Sequence, residues 1–206
     1  MDKRRPSTNR RRHSGVALYS GPPLKLPERL TRDEVAALLA QPNRRYPTGI
    51  RDRALIRLFY RAGLRCNEAL NLGPRDVDLR HHEIRVWQGK GGRDRRVWID
   101  SGTVEYLALW RDRRPKSDWF FCTLKGKRLR DSDVRDMMAR RGRKAEIQIR
   151  VHPHLLRHTY ATELLEDGYS IIEVQKLLGH ARLETTGIYL HVADENLRQR
   201  LRDREG

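Results

Sequence analysis

Val151-His152-Pro153-His154-Leu155-Leu156-Arg157-His158-Thr159-Tyr160-Ala161-Thr162 is followed by Leu178-Gly179-His180, and then by Thr185-Thr186-Gly187-Ile188-Tyr189-Leu190-His191. The series sets histidines, an arginine and a tyrosine on a string of short expected helices, 153–166, 171–178 and 183–191. It offers cations, proton donors and a hydroxyl nucleophile together. Phosphodiester chemistry needs those groups when it runs through a covalent enzyme intermediate. Pro153 suits the first position of a helix, which puts His154 in the first turn, where a phosphate is favoured. His154 and Arg157 stand at i and i+3, while Leu155, Leu156, Ala161, Leu164 and Leu165 supply the packing face. Tyr160 reads as a packing residue. His152 and His158 raise a zinc alternative, but thiolates and carboxylates at ligand spacing are missing from this stretch.

Upstream, Thr31-Arg32-Asp33-Glu34 reads as a capping box that opens a helix with Val35, Leu38 and Leu39 on one face. A second helix is expected over 50–62, with Ala54, Leu55, Leu58, Phe59 and Ala62 as its buried stripe and Gly63 as its stop. A third follows over 65–72. On it Arg65 and Glu68 share a face, and an arginine–glutamate pair at that spacing alone marks only a surface helix. The segments 83–87 and 95–99 alternate as half-buried strands do, and 119–122 is a candidate third strand. Gly89-Lys90-Gly91-Gly92 joins the first two as a turn open to close approach by a ligand. Lys90 at its tip can reach a phosphate or donate a proton, with Arg93, Arg95 and Arg96 beside it. Helices resume over 103–111 and 133–144. The expected class is α+β: mostly helical, with a small antiparallel sheet.

The chain has 206 residues, with 44 Lys plus Arg against 27 Asp plus Glu and a net charge of +17. That excess points to a polyanionic partner, nucleic acid first. Residues 1–27 lack apolar periodicity and carry Arg4, Arg5, Arg10, Arg11 and Arg12 among Pro, Ser, Thr and Asn. They read as a basic arm on phosphates, or else as a solvated tail. Cys66 and Cys122 do not make a disulfide framework or a zinc set. No apolar run is long enough to span a bilayer and no leader is evident, so no membrane association and a cytoplasmic location are expected.

With these residues in place, the chain resembles the catalytic domain of the tyrosine recombinases, also called the phage integrase family. The resemblance divides the chain into a basic arm (1–27), a catalytic domain (28–191) and a C-terminal helical tail (192–206). Carried over by motif, the family's two arginines fall on Arg65 and Arg157, its hairpin lysine on Lys90, its histidines on His154 and His180, and its nucleophile on Tyr189. Glu68 is the supporting acid. The resemblance implies that Tyr189 attacks the scissile phosphate of double-stranded DNA and forms a 3′-phosphotyrosyl bond. Arg65 and Arg157 would clamp the non-bridging oxygens, with His154 and His180 on the same phosphate. Lys90 would protonate the departing 5′ oxygen. Neither a cofactor nor a metal ion is implied. Relatives act as rings of four and pass a tail like Val192–Leu197–Leu201 to a neighbour; the other reading of that stripe is a helix folded back on its own domain. Arg93 replaces the lysine common after the hairpin glycines, and Trp98 stands where proline is usual. Family members usually carry a helical core-binding domain before the catalytic one, whereas here the expected helices begin at Thr31. A non-catalytic DNA-binding regulator and a type IB topoisomerase are the two other readings of the same residues.

Overall fold

Thr31 opens the first helix as a capping box: its hydroxyl accepts from the Glu34 N–H at 3.2 Å, and Glu34 accepts from the Thr31 N–H at 2.8 Å. The structure is a computed structural model and describes residues 28–87, 94–179 and 202. In chain order the helices and strands are α1 (Arg32–Ala40), α2 (Pro47–Arg61), α3 (Cys66–Leu70), β1 (Val77–Asp78), β2 (Glu83–Val86), β3 (Arg95–Trp98), α4 (Ser101–Arg111), α5 (Asp131–Lys144), α6 (Pro153–Glu166) and α7 (Ile171–Leu178). The expected helix 183–191, the tail 192–206 apart from Arg202, the arm 1–27 and the hairpin tip 88–93 lie outside the described residues. Among the described residues no helix is long and apolar enough to cross a membrane.

α2 is the axis of the fold. It packs against α4 on one side and α6 on another, with α1 and α3 at its ends. Its apolar residues exceed one stripe: Leu55, Ile56, Leu58 and Phe59 are all fully buried, so the helix is enclosed rather than laid on a surface. Each such side chain contributes about 1.5–3 kcal/mol by leaving water. Pro47 at the first turn starts α2 earlier than the stripe suggested. Asp52, buried on the same helix, is held by Arg51 and by Arg141 of α5, which ties those two helices together.

The three strands form an antiparallel sheet in the order β1-β2-β3, with Ile84 opposite Val97 and Arg85 opposite Arg96. Ile84, Val86 and Val97 point into the core, while Arg85, Arg96 and Trp98 face outward. The third strand is therefore Val77–Asp78, too short to show any period in the sequence. The stretch expected as a strand, 119–122, makes only a single bridge between Cys122 and Arg128. Phe120 and Phe121 are both buried, which alternation in a strand would not give. Their backbone is satisfied by other means. Phe120 donates its N–H to the Leu72 carbonyl, and its own carbonyl accepts from Trp110 Nε1 at 2.8 Å and Arg114 Nε at 3.1 Å.

Gly63 ends α2 in a left-handed conformation, φ +59. A Cβ there would come within 2.4 Å of Leu178 Cδ2 and 3.1 Å of Tyr160 Cδ1. Gly63→Ala combines the left-handed penalty of roughly 1–2 kcal/mol with overpacking. The variant is expected to unfold at least 4 °C below the native chain in thermal melts; an unchanged midpoint would show that α7 yields at no cost.

Candidate active site

The site is built around one carboxylate. Arg65 stands one residue before α3, in extended conformation, and Glu68 sits in the first turn. The two were expected on one face of a helix starting at Arg65; the observed relation is that of a cap. Glu68 Oε2 accepts from the Arg65 main-chain N–H at 2.8 Å, and Oε1 accepts from the Arg65 guanidinium at 2.9 Å. Arg95 of β3 completes the set, donating to Oε1 at 2.8 Å and to Oε2 at 2.9 Å. Four donors thus converge on one carboxylate. Burial alone would raise the Glu68 pKa. The Arg95 hydrogen bonds, the Arg65 N–H and the two cations outweigh that effect and hold it at about 2.

Arg95 was expected among the phosphate-contacting cations. The structure places it elsewhere: its side chain is 11% exposed and pairs with Glu68, so it braces the sheet against α3. Gly179 lies against it, since a Cβ on that residue would meet Arg95 Nε at 2.4 Å. The last described residue before His180 therefore rests on the same strut that holds Arg65.

Arg157 is only 2% exposed, deeper than an i, i+3 partner of His154 on an open helix face would be. Its Nη1 donates to the Gly63 carbonyl and its Nη2 to the Leu178 carbonyl at 2.9 Å. Those carbonyls close the C-terminal ends of α2 and α7, where the helix dipole is negative. His154 lies in the first turn of α6, as expected from Pro153. Desolvation and the Arg157 and Arg65 cations lower its pKa below the ordinary 6.5, so it is neutral at pH 7, with one nitrogen to donate and one to accept. His158 is pushed lower, to about 4, by burial and by His154 and Arg29.

Arg65, His154 and Arg157 line one cleft of about 740 Å³. Arg135 of α5 and Arg150 extend its cationic wall, His152 lines it, and Glu28, Glu68 and Asp131 are its acids. Sequence reasoning missed Arg135 and Arg150: the packing of α5 against α3 brings Arg135 there, and Arg150 stands just before α6 outside any motif. Cys66 also lines the cleft; burial and a hydrogen bond to Asp131 push its thiol pKa up, so it stays protonated. It is unpaired with Cys122, as two isolated cysteines led one to expect. Tyr160 packs against the α6–α7 cluster. For the zinc alternative, among the described residues no three His, Cys, Asp or Glu side chains are grouped to hold a metal ion. Lys90, His180 and Tyr189 lie outside the described residues, as do Arg93 and the arm arginines Arg4, Arg5, Arg10, Arg11 and Arg12.

A cationic cleft with a neutral histidine at a helix start suits a phosphate diester. Comparison with known proteins agrees. The profile of the phage integrase family matches residues 28–196. The chain belongs to the phage integrase family. Its catalytic-domain fold is shared with solved tyrosine recombinases. It is 39% identical over 183 residues to the tyrosine recombinase XerD of Ralstonia nicotianae, covering 85% of this chain and 59% of that relative. It therefore spans less than two thirds of the length of this curated family member. The crystal structure of XerA recombinase superposes with a TM-score of 0.77 at 34% identity, covering 90% of this chain and 67% of XerA. The XerH recombinase bound to a palindromic difH substrate, in a post-cleavage complex, gives 0.72 at 30% identity, covering 88% and 54%.

Removing the charge of Glu68 leaves Arg95 largely buried without its partner. Glu68→Gln is expected to cost about 3 kcal/mol in urea unfolding at pH 7, as for other broken buried pairs. The pH dependence follows from the depressed pKa: the contribution of Glu68 is full above its ordinary 4.5 and is lost as pH falls toward 2. Stability measured between pH 5 and 2.5 should therefore fall less steeply in Glu68→Gln than in the native family member. Parallel curves would remove Glu68 from this role.

Proposed function

We propose that this integrase-family chain is a site-specific DNA recombinase that cleaves and rejoins double-stranded DNA through a 3′-phosphotyrosyl intermediate. The observation that carries the reading is the convergence of Arg65, His154 and Arg157 on one cleft, with Arg157 fixed by two helix-end carbonyls. Preorganised cations of this kind stabilise the charge that grows on the non-bridging oxygens in the transition state. Arg65 reaches the phosphate from the cleft wall while Glu68 fixes its backbone and side chain. His154, neutral, accepts or returns a proton at the attacking oxygen. Tyr189 is the nucleophile, Lys90 the acid for the leaving 5′ oxygen, and His180 a further phosphate ligand. Neither a metal nor a cofactor takes part in these steps. The protein acts on DNA in the cytoplasm as a homo-tetramer.

The arm extends the interface. Residue 28 lines the cleft, and the next residues are anchored: the Leu30 N–H donates to Thr159 Oγ1 at 3.1 Å, and Arg29 pairs with Glu166 at 2.6 Å. The described chain thus begins at the cleft, which supports reading the basic segment 1–27 as an arm on DNA.

The decisive measurement is covalent capture. A pool of nicked suicide duplexes with a randomised core is incubated with the unmodified chain, and SDS-resistant adducts are amplified. Adducts are expected, and Tyr189→Phe should abolish them with folding and DNA affinity nearly unchanged. Arg65→Ala and Arg157→Ala should slow capture by roughly 10²-fold or more. An adduct that survives Tyr189→Phe would move the nucleophile elsewhere. No adduct from the native chain would leave a DNA-binding regulator, and relaxation without strand exchange would leave a topoisomerase.

Affinity for the captured duplex should fall steeply with salt, because neutralising several phosphates releases counterions. Deleting residues 1–27 should flatten the slope of log K against log salt; an unchanged slope would reduce the arm to a tail.

A further inference from the structure

His152 has no part in the steps above, yet it holds the helix that carries both His154 and Arg157. It is the N-cap of α6, in extended conformation at φ −151 and ψ 164. Its Nδ1 accepts from the Leu155 N–H at 3.2 Å, and the same N–H also meets the His152 carbonyl at 3.1 Å. A ring nitrogen that accepts must carry its lone pair, so the imidazole is neutral with its proton on Nε2. The ring lies nearly parallel to His154, 7° apart, with centroids separated by 6.4 Å. The other side-chain caps among the described helices are different in kind. Thr31, Asp100 and Ser170 cap α1, α4 and α7 through a hydroxyl or a carboxylate, none of which gains a proton in mild acid. α6 alone of these four depends on a group that does.

The surroundings oppose that extra proton. Arg135 reaches the cleft from α5 and Arg150 from the segment before α6, with His154 on α6 itself. Arg65 and Arg157 line the same cleft. Of its three acids, Asp131 is engaged with Arg135 at 2.7 Å, Glu68 is engaged with Arg65 and Arg95, and Glu28 is the third. Burial and then the charges of His154, Arg135 and Arg150 move the His152 pKa below the ordinary 6.5. The cap is therefore fully present above pH 6.5 and is lost as pH falls through the depressed value.

We propose that His152 is a positioning residue for His154 and Arg157: a titratable cap that holds the first turn of α6 only while Nδ1 is unprotonated, so that mild acid loosens the phosphate site. The inference rests on the proposed function for its consequence in cleavage, and on the cap geometry for the switch itself. A phosphate diester drawn into the cleft screens the cations and makes protonation of His152 easier. Bound DNA should accordingly raise the pH at which the cap opens.

The test uses the full chain and two kinds of readout. Imidazole ¹⁵N spectra and Leu155 amide exchange are followed from pH 8 to 5 without DNA. Nδ1 is expected unprotonated at pH 7.5, and Leu155 protection should fall as Nδ1 gains its proton. Single-turnover capture of the selected suicide duplex is then measured over the same range. His152→Ala should slow capture at pH 7.5 by about 3- to 10-fold, the size expected from losing a cap. His152→Asn, which caps without titrating, should restore the rate and move the acid limb to lower pH. A protonated Nδ1 at pH 7.5, or Leu155 protection indifferent to the titration, would overturn the proposal. So would a His152→Asn protein that keeps the native acid limb. If no duplex is captured at all, the recombinase reading fails by itself, and the spectra and exchange still decide the cap.

Discussion

A buried guanidinium organises this protein. Arg157 lies almost wholly out of water, and an uncompensated charge there would cost several kcal/mol. The main-chain carbonyls of Gly63 and Leu178 answer it, one at the end of α2 and one at the end of α7. The helix ends must therefore meet at α6, and the chain must turn sharply after each. Gly63 and Gly179 make those turns, both in left-handed conformation. The same hydrogen bonds that fix the fold also hold the Arg157 guanidinium, the proposed phosphate ligand, against rotation.

The second constraint runs through Glu68. Its carboxylate ties Arg65, which opens to solvent at the cleft, to Arg95, which is enclosed beneath the sheet. A half-exposed cation at the cleft and a largely buried one thus share one anion. Without Glu68, the two guanidiniums would repel each other across the gap between α3 and β3.

Much of this was legible in the sequence. The capping box at Thr31, Pro153 at the start of α6, and Gly63 as the stop of α2 are local signals, and local signals survive folding. The burial of α2 beyond its expected stripe was not visible, since a helix enclosed by several neighbours carries more apolar positions than one face predicts. The strand at 77–78 was too short to have a period, and 119–122 looked like a strand because aromatic residues favour strands. Its Phe120 and Phe121 instead fill the core side by side. At the site, Arg65, His154 and Arg157, singled out in the sequence by the family resemblance, line one cleft. Arg95 was misjudged because charge in a sequence does not tell which arginine is exposed. Arg135 was missed because it enters the cleft from a separate helix, α5, and Arg150 because its position just before α6 carries no motif signal.

The apolar interior has a seam. Ala161, Leu164, Leu165, Val174 and Leu178 form a cluster apart from the main core, made by the C-terminal half of α6 and by α7. α7 is eight residues long, and Ile172 on it is 72% exposed. So small a cluster opens at a lower free energy than the layers around α2, as a unit of its own. The Leu178 carbonyl on Arg157 is the polar tie between this smaller unit and the buried cation of α6. Among the described residues, α7 is thus the helix whose packing rests on the smaller of the two apolar clusters.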